Sequence, residues 1–201
     1  MQIFEICNLK FIRLRENFIG LLIKSQMIIF LILKNYLNLY MSIKTGDQMP
    51  DFSLNSFSHS DELKKYTISD YKGKKNVLLV FFPMAFTGVC TEQNCTISDT
   101  VGDFASKDVE VFGVSVDGTF VQKAFAKSNN IKYPLLSDYN REVIRKLGLV
   151  HEVFAHDQKE TAKRAVVLID KEGVVKYMEI TENPGVQVKF DLLKEAVENL
   201  G

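Results

Sequence analysis

Apolar residues fall along this chain in short runs that are separated by polar turns and amphipathic stretches. The runs that predict strands cover 49–54, 77–82, 109–116, 133–136, 163–169 and 174–180. The turn sequence Asp-Lys-Glu-Gly at 170–173 predicts that the last two of these runs form a hairpin. The stretch 149–161 has no clear period, and we interpret it as a loop or an irregular strand.

Helical periods occupy the stretches between and after these runs. Four helices are expected, at 90–104, 119–127, 140–147 and 188–200. Asp117 or Thr119 is predicted to cap the second helix. Phe120, Ala124 and Phe125 are expected to face inward from it. Strands that alternate with helices and end in a hairpin and a helix predict an α/β fold, with a mixed central sheet flanked by helices.

The first 40 residues differ from the rest in composition. Five basic and two acidic side chains give them a net charge of +3. Their longest uncharged run, 25–33, is shorter than the roughly 20 residues that a membrane-spanning helix needs. No small-residue cleavage site follows, so a secretory signal fits poorly. Three interpretations stay open: an upstream extension of a protein that starts at Met41, an amphipathic helix on a membrane surface, or an anchor weakened by Lys24 and Lys34.

Composition and charge limit the classes of function. With 201 residues, 46% hydrophobic and 25% charged, the chain can form one domain with a sizeable core, which we place at 41–201 after an extension at 1–40. The formal net charge is zero, and neither a phosphate loop nor a basic-aromatic stretch is present, which argues against nucleic-acid or nucleotide binding. Three cysteines are too few for a secreted disulfide framework, so a reducing compartment, the cytoplasm, is expected. Cys7, in the extension, is expected to play no part in the chemistry.

Candidate chemistry lies where the run 77–82 ends. Pro83, Thr87 and Cys90 follow it at close spacing. Cys90 falls in the first turn of the predicted helix 90–104, where free backbone N–H groups and the positive end of the helix dipole favour a thiolate over a thiol. Thr87 offers a hydroxyl to the same small space, and Pro83 removes an N–H and stiffens the approach.

The pattern Pro83-x-x-x-Thr87-x-x-Cys90 resembles the peroxidatic-cysteine signature of the peroxiredoxins and agrees with it at every fixed position. The resemblance covers about 41–200. It implies a thioredoxin-like fold and the reduction of hydroperoxides. It also implies that Cys90 is the nucleophile, that Thr87 orients the peroxide and that Pro83 shapes the pocket.

A second thiol, at Cys95, is similar to the bacterioferritin-comigratory-protein (Prx Q) branch, where it is often the resolving cysteine. The amino-acid sequence of 81–90 is also similar to that of the alkyl hydroperoxide reductase E branch. Five residues of helix give a rise of about 7.5 Å, and a disulfide does not close when the Cα atoms are more than about 7 Å apart. Cys95 can therefore resolve Cys90 only if the first helical turns unwind. The alternative, a core thiol in a one-cysteine mechanism, stays open.

A cation is expected to complete the site. In peroxiredoxins an arginine on a strand after the site helix hydrogen-bonds the thiolate and the peroxide, and Arg164 stands at the matching place. Its planar fork of donors could serve both partners, which a lysine could not do equally. Gln93, one helical turn after Cys90, occupies a place often taken by Glu or Gln in this branch. The alternatives are an exposed strand-end arginine and an ordinary surface glutamine.

The predicted function is that of a thiol-dependent peroxidase acting on hydrogen peroxide and organic hydroperoxides. The resemblance implies a thioredoxin-like or glutaredoxin-like reductant. A homodimer is compatible with it, and membrane contact is expected only through 1–40. No metal or other cofactor is predicted, because Cys90-x4-Cys95 is not a zinc spacing. Two alternatives remain: a thiol–disulfide reductase, disfavoured because such enzymes use Cys-x-x-Cys, and a redox-sensing or chaperone-like binding module without catalysis.

Overall fold

The computed structural model describes residues 42–57 and 61–200, together with Lys24 and residues 26–29 of the preceding segment. Contacts within the chain divide it into two units, Met1–Met41 and Ser42–Gly201. In the first unit, Lys24 and 26–29 are helical and exposed, and the other residues of the predicted extension, with Cys7, lie outside the described residues. None of the helices in the described parts of the chain has both the length and the apolar composition that a membrane crossing requires.

The second unit is built around one mixed sheet. Its strands, within the described residues, are β1 (Ser53–Phe57), β2 (Leu63–Thr67), β3 (Asn76–Phe81), β4 (Val109–Ser115), β5 (Leu135–Ser137), β6 (Val150–Val153), β7 (Lys159–Ala162), β8 (Arg164–Ile169) and β9 (Val175–Thr181). Seven of them form a sheet in the order β2-β1-β5-β4-β3-β8-β9, and β6 pairs with β7 in a separate hairpin. β3 is parallel to β4 and antiparallel to β8.

Helices cover both faces of this sheet, so every residue of β3 is buried, and all of them except Asn76 are apolar. The helices are α1 (Gly88–Ser106), α2 (Thr119–Ser128), α3 (Glu142–Lys146) and α4 (Phe190–Glu198). Alternate residues of a strand point to opposite faces. Leu79 and Phe81 therefore pack in the core shared with α3, while Leu78 and Val80 pack in the core shared with α1, α2 and α4. The predicted α/β class with a mixed, helix-flanked sheet is confirmed.

The second helix differs from its prediction in orientation. Phe125 is buried as expected, but Ala124 is exposed and Phe120 is 76% exposed, so these two assignments to the core are wrong. Gln122 is buried instead, because its side-chain amide donates to Leu136 O (2.9 Å) in β5 and to Ser115 Oγ (3.0 Å) at the end of β4. These hydrogen bonds let a polar side chain face the sheet.

Two further local predictions differ from the structure. Neither Asp117 nor Thr119 caps α2, because the N-cap residue is Gly118 and no side chain bonds there. The stretch interpreted as a loop or an irregular strand contains the β6–β7 hairpin. β2 was not predicted, because its sequence Leu-Lys-Lys-Tyr-Thr is polar on an edge strand where only Tyr66 is buried.

Candidate active site

The end of β3 and the beginning of β8 meet because these strands are antiparallel neighbours. Phe81 pairs with Ala165, so Arg164, the first residue of β8, lies beside the point where the chain leaves β3 for α1. Cys90 is the third residue of α1. The topology thus places the Arg164 cation beside a thiol that precedes it by 74 positions in the chain.

Residues 83–87 form the connection from β3 to α1, which we call the approach turn. Pro83 is buried, Phe86 has a left-handed backbone with φ of +63°, and Thr87 is the N-cap residue of α1. The Thr87 hydroxyl donates to Met84 O at 3.0 Å rather than capping the helix. The Ala85 N–H of the same turn donates to the carboxylate of Asp117 at 2.8 Å.

Cys90 lies at the base of this turn and is almost completely buried, with 1% of its surface exposed. Its thiol is free. Arg164, also 1% exposed, places Nη2 at 3.4 Å from Cys90 Sγ. A buried guanidinium beside a sulfur atom at a helix N-terminus favours negative charge on that sulfur, because charges interact strongly where water is excluded.

Two acceptors hold the guanidinium of Arg164 in place. Pro184 O accepts from Nε at 3.1 Å and from Nη2 at 2.7 Å. Gln93 Oε1 accepts from Nη1, and the Gln93 amide donates to Phe81 O at 3.4 Å. Both acceptors are neutral, and within the described residues no Asp or Glu forms an ion pair with Arg164. Its positive charge is therefore available to Cys90 and to a bound substrate.

Cys95 lies in the same helix, is partly buried and carries a free thiol. Burial, followed by repulsion from Asp99, raises the pKa of the Cys95 thiol above its ordinary value. Asn94, which lies between Cys90 and Cys95 in the helix, is fully buried. Its amide donates to Cys90 O at 2.8 Å, and its Oδ1 accepts from Tyr133 OH at 2.8 Å. The helix is continuous from Cys90 to Cys95, so the two sulfur atoms are not paired.

Arg164 contacts both Cys90 and Gln93, and Thr87 and Pro83 lie in the approach turn that precedes Cys90. Three contacts were missed: the carbonyl of Pro184, the carboxylate of Asp117, and the bond between Asn94 and Tyr133. The turn-forming sequence Asn183-Pro184-Gly185 is the only signal of the first in the sequence, and a polar Asn inside a helix is a weak signal of the last. Among the described residues no three His, Cys, Asp or Glu side chains are arranged to hold a metal ion.

A free, buried cysteine at the start of a helix beside a mixed sheet is the arrangement of thiol redox proteins with a thioredoxin-like fold. Solved peroxiredoxin structures share this fold. The reduced 2-Cys peroxiredoxin of Plasmodium vivax superposes with a TM-score of 0.69 and 26% identity, over 78% of this chain and 81% of that one. Peroxidoxin BcpB of Mycobacterium tuberculosis superposes with a TM-score of 0.64 and 26% identity, over 79% of this chain and 96% of that one.

The family model described as AhpC/TSA matches residues 45–178, and this chain belongs to that family. The resemblance to the peroxiredoxins is confirmed. A chloroplastic 2-Cys peroxiredoxin of Spinacia oleracea is 36% identical over 153 residues, which are 73% of this chain and 55% of that protein. Alkyl hydroperoxide reductase E of Mycobacterium bovis is 31% identical over 145 residues, 71% of this chain and 88% of that protein. The chain thus spans about half the length of the chloroplastic relative.

Proposed function

We propose that this protein is a thiol-dependent peroxidase that reduces hydrogen peroxide and organic hydroperoxides. The observation that carries the proposal is the contact between Arg164 Nη2 and Cys90 Sγ, at 3.4 Å, where the thiol meets the N-terminus of α1. An ordinary thiol, with a pKa of about 8.5, is only a few per cent ionised at neutral pH. The cation and the helix N-terminus supply the stabilisation of negative charge that a nucleophilic thiolate requires.

The chemistry proceeds by attack of the Cys90 thiolate on the distal oxygen of the hydroperoxide. The S–O bond forms as the O–O bond breaks, and the alkoxide or hydroxide that leaves takes up a proton to become an alcohol or water. Cys90 is left as a sulfenic acid. Negative charge moves from sulfur to the leaving oxygen, and the two-pronged guanidinium of Arg164 can donate to both atoms during this shift.

Thr87 is assigned the orientation of the peroxide. Its hydroxyl proton is committed to Met84 O, so the oxygen can act as an acceptor for the terminal O–H of a hydroperoxide. Pro83 contributes a buried ring and no N–H, which leaves the approach turn without a competing donor at this position. Gln93 is assigned the positioning of Arg164.

Resolution of the sulfenic acid is assigned to Cys95. Its sulfur condenses with the Cys90 sulfenic acid, a disulfide forms and water leaves. An external dithiol then reduces this disulfide. Because the two cysteines lie five positions apart in an intact helix, this step requires local unwinding around Cys90 to Cys95.

Replacement of Cys95 by serine is expected to stop the reaction at the sulfenic acid. In a single turnover with hydrogen peroxide, intact mass should show the loss of two hydrogen atoms in the wild type and the gain of one oxygen atom in Cys95→Ser.

The wild-type disulfide step should accelerate as the pH rises, because the raised pKa of Cys95 leaves it largely as a thiol at neutral pH. Full turnover of Cys95→Ser with thioredoxin would instead establish a one-cysteine mechanism.

Replacement of Tyr133 by phenylalanine is expected to speed the disulfide step. The change removes only the hydroxyl that donates to Asn94 Oδ1 at 2.8 Å, which weakens the anchoring of the helical turn between the two cysteines. A buried hydrogen bond contributes about 1 kcal/mol, so unwinding and disulfide formation should become about fivefold faster. Peroxide attack should be unchanged. Quench-flow with intact mass resolves the two steps, as a gain of one oxygen atom and then a loss of water.

A matched control for that change is Tyr177→Phe. Tyr177 donates its hydroxyl to Glu179 Oε2 at 2.8 Å, in β9, so its loss removes a comparable bond without touching α1. Equal disulfide rates in Tyr133→Phe and the wild type would show that the Asn94–Tyr133 bond does not limit unwinding.

The proposal extends to the partners. A thioredoxin-like or glutaredoxin-like protein is the proposed reductant, in keeping with a solved relative from Plasmodium yoelii that is titled thioredoxin peroxidase I and is 30% identical. A homodimer and a cytoplasmic location complete the proposal. Rapid consumption of hydroperoxide would separate it from a thiol–disulfide reductase and from a redox-sensing binding module, neither of which requires peroxide turnover.

A further inference from the structure

We propose that Asp117 is a positioning residue of the peroxidase reaction, and that it acts on Thr87 through one peptide group of the approach turn. This inference rests on the proposed function. Asp117 does not touch the reacting atoms in the structure. It accepts a hydrogen bond from the backbone of the approach turn, and this backbone determines the direction of the Thr87 hydroxyl.

The peptide group between Met84 and Ala85 is bonded on both of its sides. Its N–H donates to Asp117 Oδ2 at 2.8 Å, and its carbonyl accepts from Thr87 Oγ1 at 3.0 Å. Asp117, this peptide and Thr87 therefore form one continuous chain of hydrogen bonds. Donation to a carboxylate polarises a peptide group and makes its carbonyl a stronger acceptor. The carboxylate thus commits the Thr87 proton to Met84 and leaves the Thr87 oxygen free to accept from a peroxide.

Residues of the central sheet fix the position of the Asp117 carboxylate by hydrogen bonds. Asp117 Oδ2 also accepts from Ser115 Oγ at 2.8 Å, and Asp117 O accepts from Ser137 Oγ at 2.7 Å. Ser115 and Ser137 are the last residues of β4 and β5. The position of the carboxylate is therefore fixed by two strand ends rather than by a loop, which is the arrangement that precise placement of a reactive group requires.

The approach turn needs such an external hold. Phe86 has φ of +63° although it is a bulky residue, and its side chain is 56% exposed. A left-handed bulky residue persists only where its surroundings impose that conformation. The Met84–Ala85 peptide, which is hydrogen-bonded to Asp117, comes before Phe86 in the chain, and Thr87 at the start of α1 follows it. Without the carboxylate, this peptide is free to rotate and to release the Thr87 hydroxyl.

Asp117→Ala should lower the second-order rate of Cys90 with hydrogen peroxide by about tenfold to a hundredfold, the effect of misplacing a positioned group. Alkylation of Cys90 by iodoacetamide, which needs the thiolate but no oriented peroxide, should change by less than about twofold. Asp117→Asn retains an acceptor oxygen and should recover the peroxide rate to within about threefold of the wild type. A purely structural role would slow both reactions together.

A double-mutant cycle with Thr87→Val tests the route of the effect. If Asp117 acts through Thr87, adding Asp117→Ala to Thr87→Val should lower the peroxide rate by less than about twofold more. Asp51→Ala is the matched control, because Asp51 likewise accepts from a backbone N–H and a serine hydroxyl, both of Ser69 and both at 2.9 Å. It should leave the peroxide rate unchanged.

Several results would overturn the positioning role: a wild-type peroxide rate in Asp117→Ala, an equal loss in both reactions, or full additivity with Thr87→Val. If Asp117→Ala does not fold, Ser115→Ala loosens the carboxylate while Gln122 keeps its bond to Leu136 O. The peroxide rate of this variant should fall by about threefold, and its alkylation rate should not change. A wild-type protein whose Cys90 is alkylated but does not react with peroxide would overturn the proposed function itself. Rapid wild-type turnover with no effect of Asp117 would overturn only this inference.

Discussion

Cys90→Ser is expected to lose peroxide consumption almost completely, by roughly a thousandfold or more, as is typical when a catalytic nucleophile is removed. A serine hydroxyl at this position remains protonated at neutral pH, because the charge of Arg164 and the helix N-terminus cannot offset its far weaker acidity. The side chain is almost the same size and is buried, so the fold should be retained. Peroxide consumption with a thioredoxin reducing system, followed by NADPH absorbance, measures the loss.

Two cysteine controls accompany this variant. Cys95→Ser should keep the rapid first step with peroxide, since Arg164 contacts Cys90 and not Cys95. Cys7→Ser should behave as the wild type in both steps. A Cys90→Ser protein that still reacts with hydrogen peroxide as fast as the wild type would show that the nucleophile lies elsewhere in the chain.

Arg164→Lys is expected to lower the second-order rate with hydrogen peroxide by about a hundredfold or more, the effect of losing one preorganised donor to a developing anion. A lysine keeps the charge but replaces a planar fork with a single ammonium group. It cannot donate at once to Cys90 Sγ, Gln93 Oε1 and Pro184 O, as Arg164 does. Quench-flow with excess peroxide, followed by intact mass of the oxidised Cys90, measures the rate directly.

Lys163→Gln provides the matched control for charge and position. Lys163 is the neighbouring basic residue and precedes β8. Loss of its charge should leave the peroxide rate within about twofold of the wild type, since Lys163 is only partly buried and a charge in contact with solvent is screened by water and salt. Circular dichroism and thermal unfolding should accompany Arg164→Lys, because the buried Gln93 acceptor loses its donor. An unchanged peroxide rate in folded Arg164→Lys would remove the guanidinium from the proposed mechanism.

Much of the fold could be predicted because its signals are local. The β-branched run that became β3 and the helix that became α1 were predicted to within two residues. Sequence order placed Cys90 in the first turn of that helix, which is the electrostatic basis of the site. The orientation of α2 could not be predicted in the same way, because buried Gln122 depends on acceptors in two other strands.

The residues of the candidate site also fall into those that local sequence predicts and those that depend on tertiary contacts. Pro83, Thr87, Cys90, Gln93 and Cys95 lie within one strand-turn-helix segment, so their spacing alone placed them together. Arg164 was assigned from a resemblance, and only the antiparallel pairing of β3 with β8 accounts for its contact with Cys90.

By itself, then, the sequence determined the position of the candidate nucleophile, its helix and the family signature, because these depend on neighbours within a few turns of chain. Tertiary structure alone decided that Arg164 is held by Pro184 and Gln93, that Asn94 is anchored to Tyr133, and that Asp117 serves the approach turn instead of a helix cap. The physical reason is that each of these contacts joins groups from separate elements. Their distances are determined by the packing of the sheet and not by their positions along the chain.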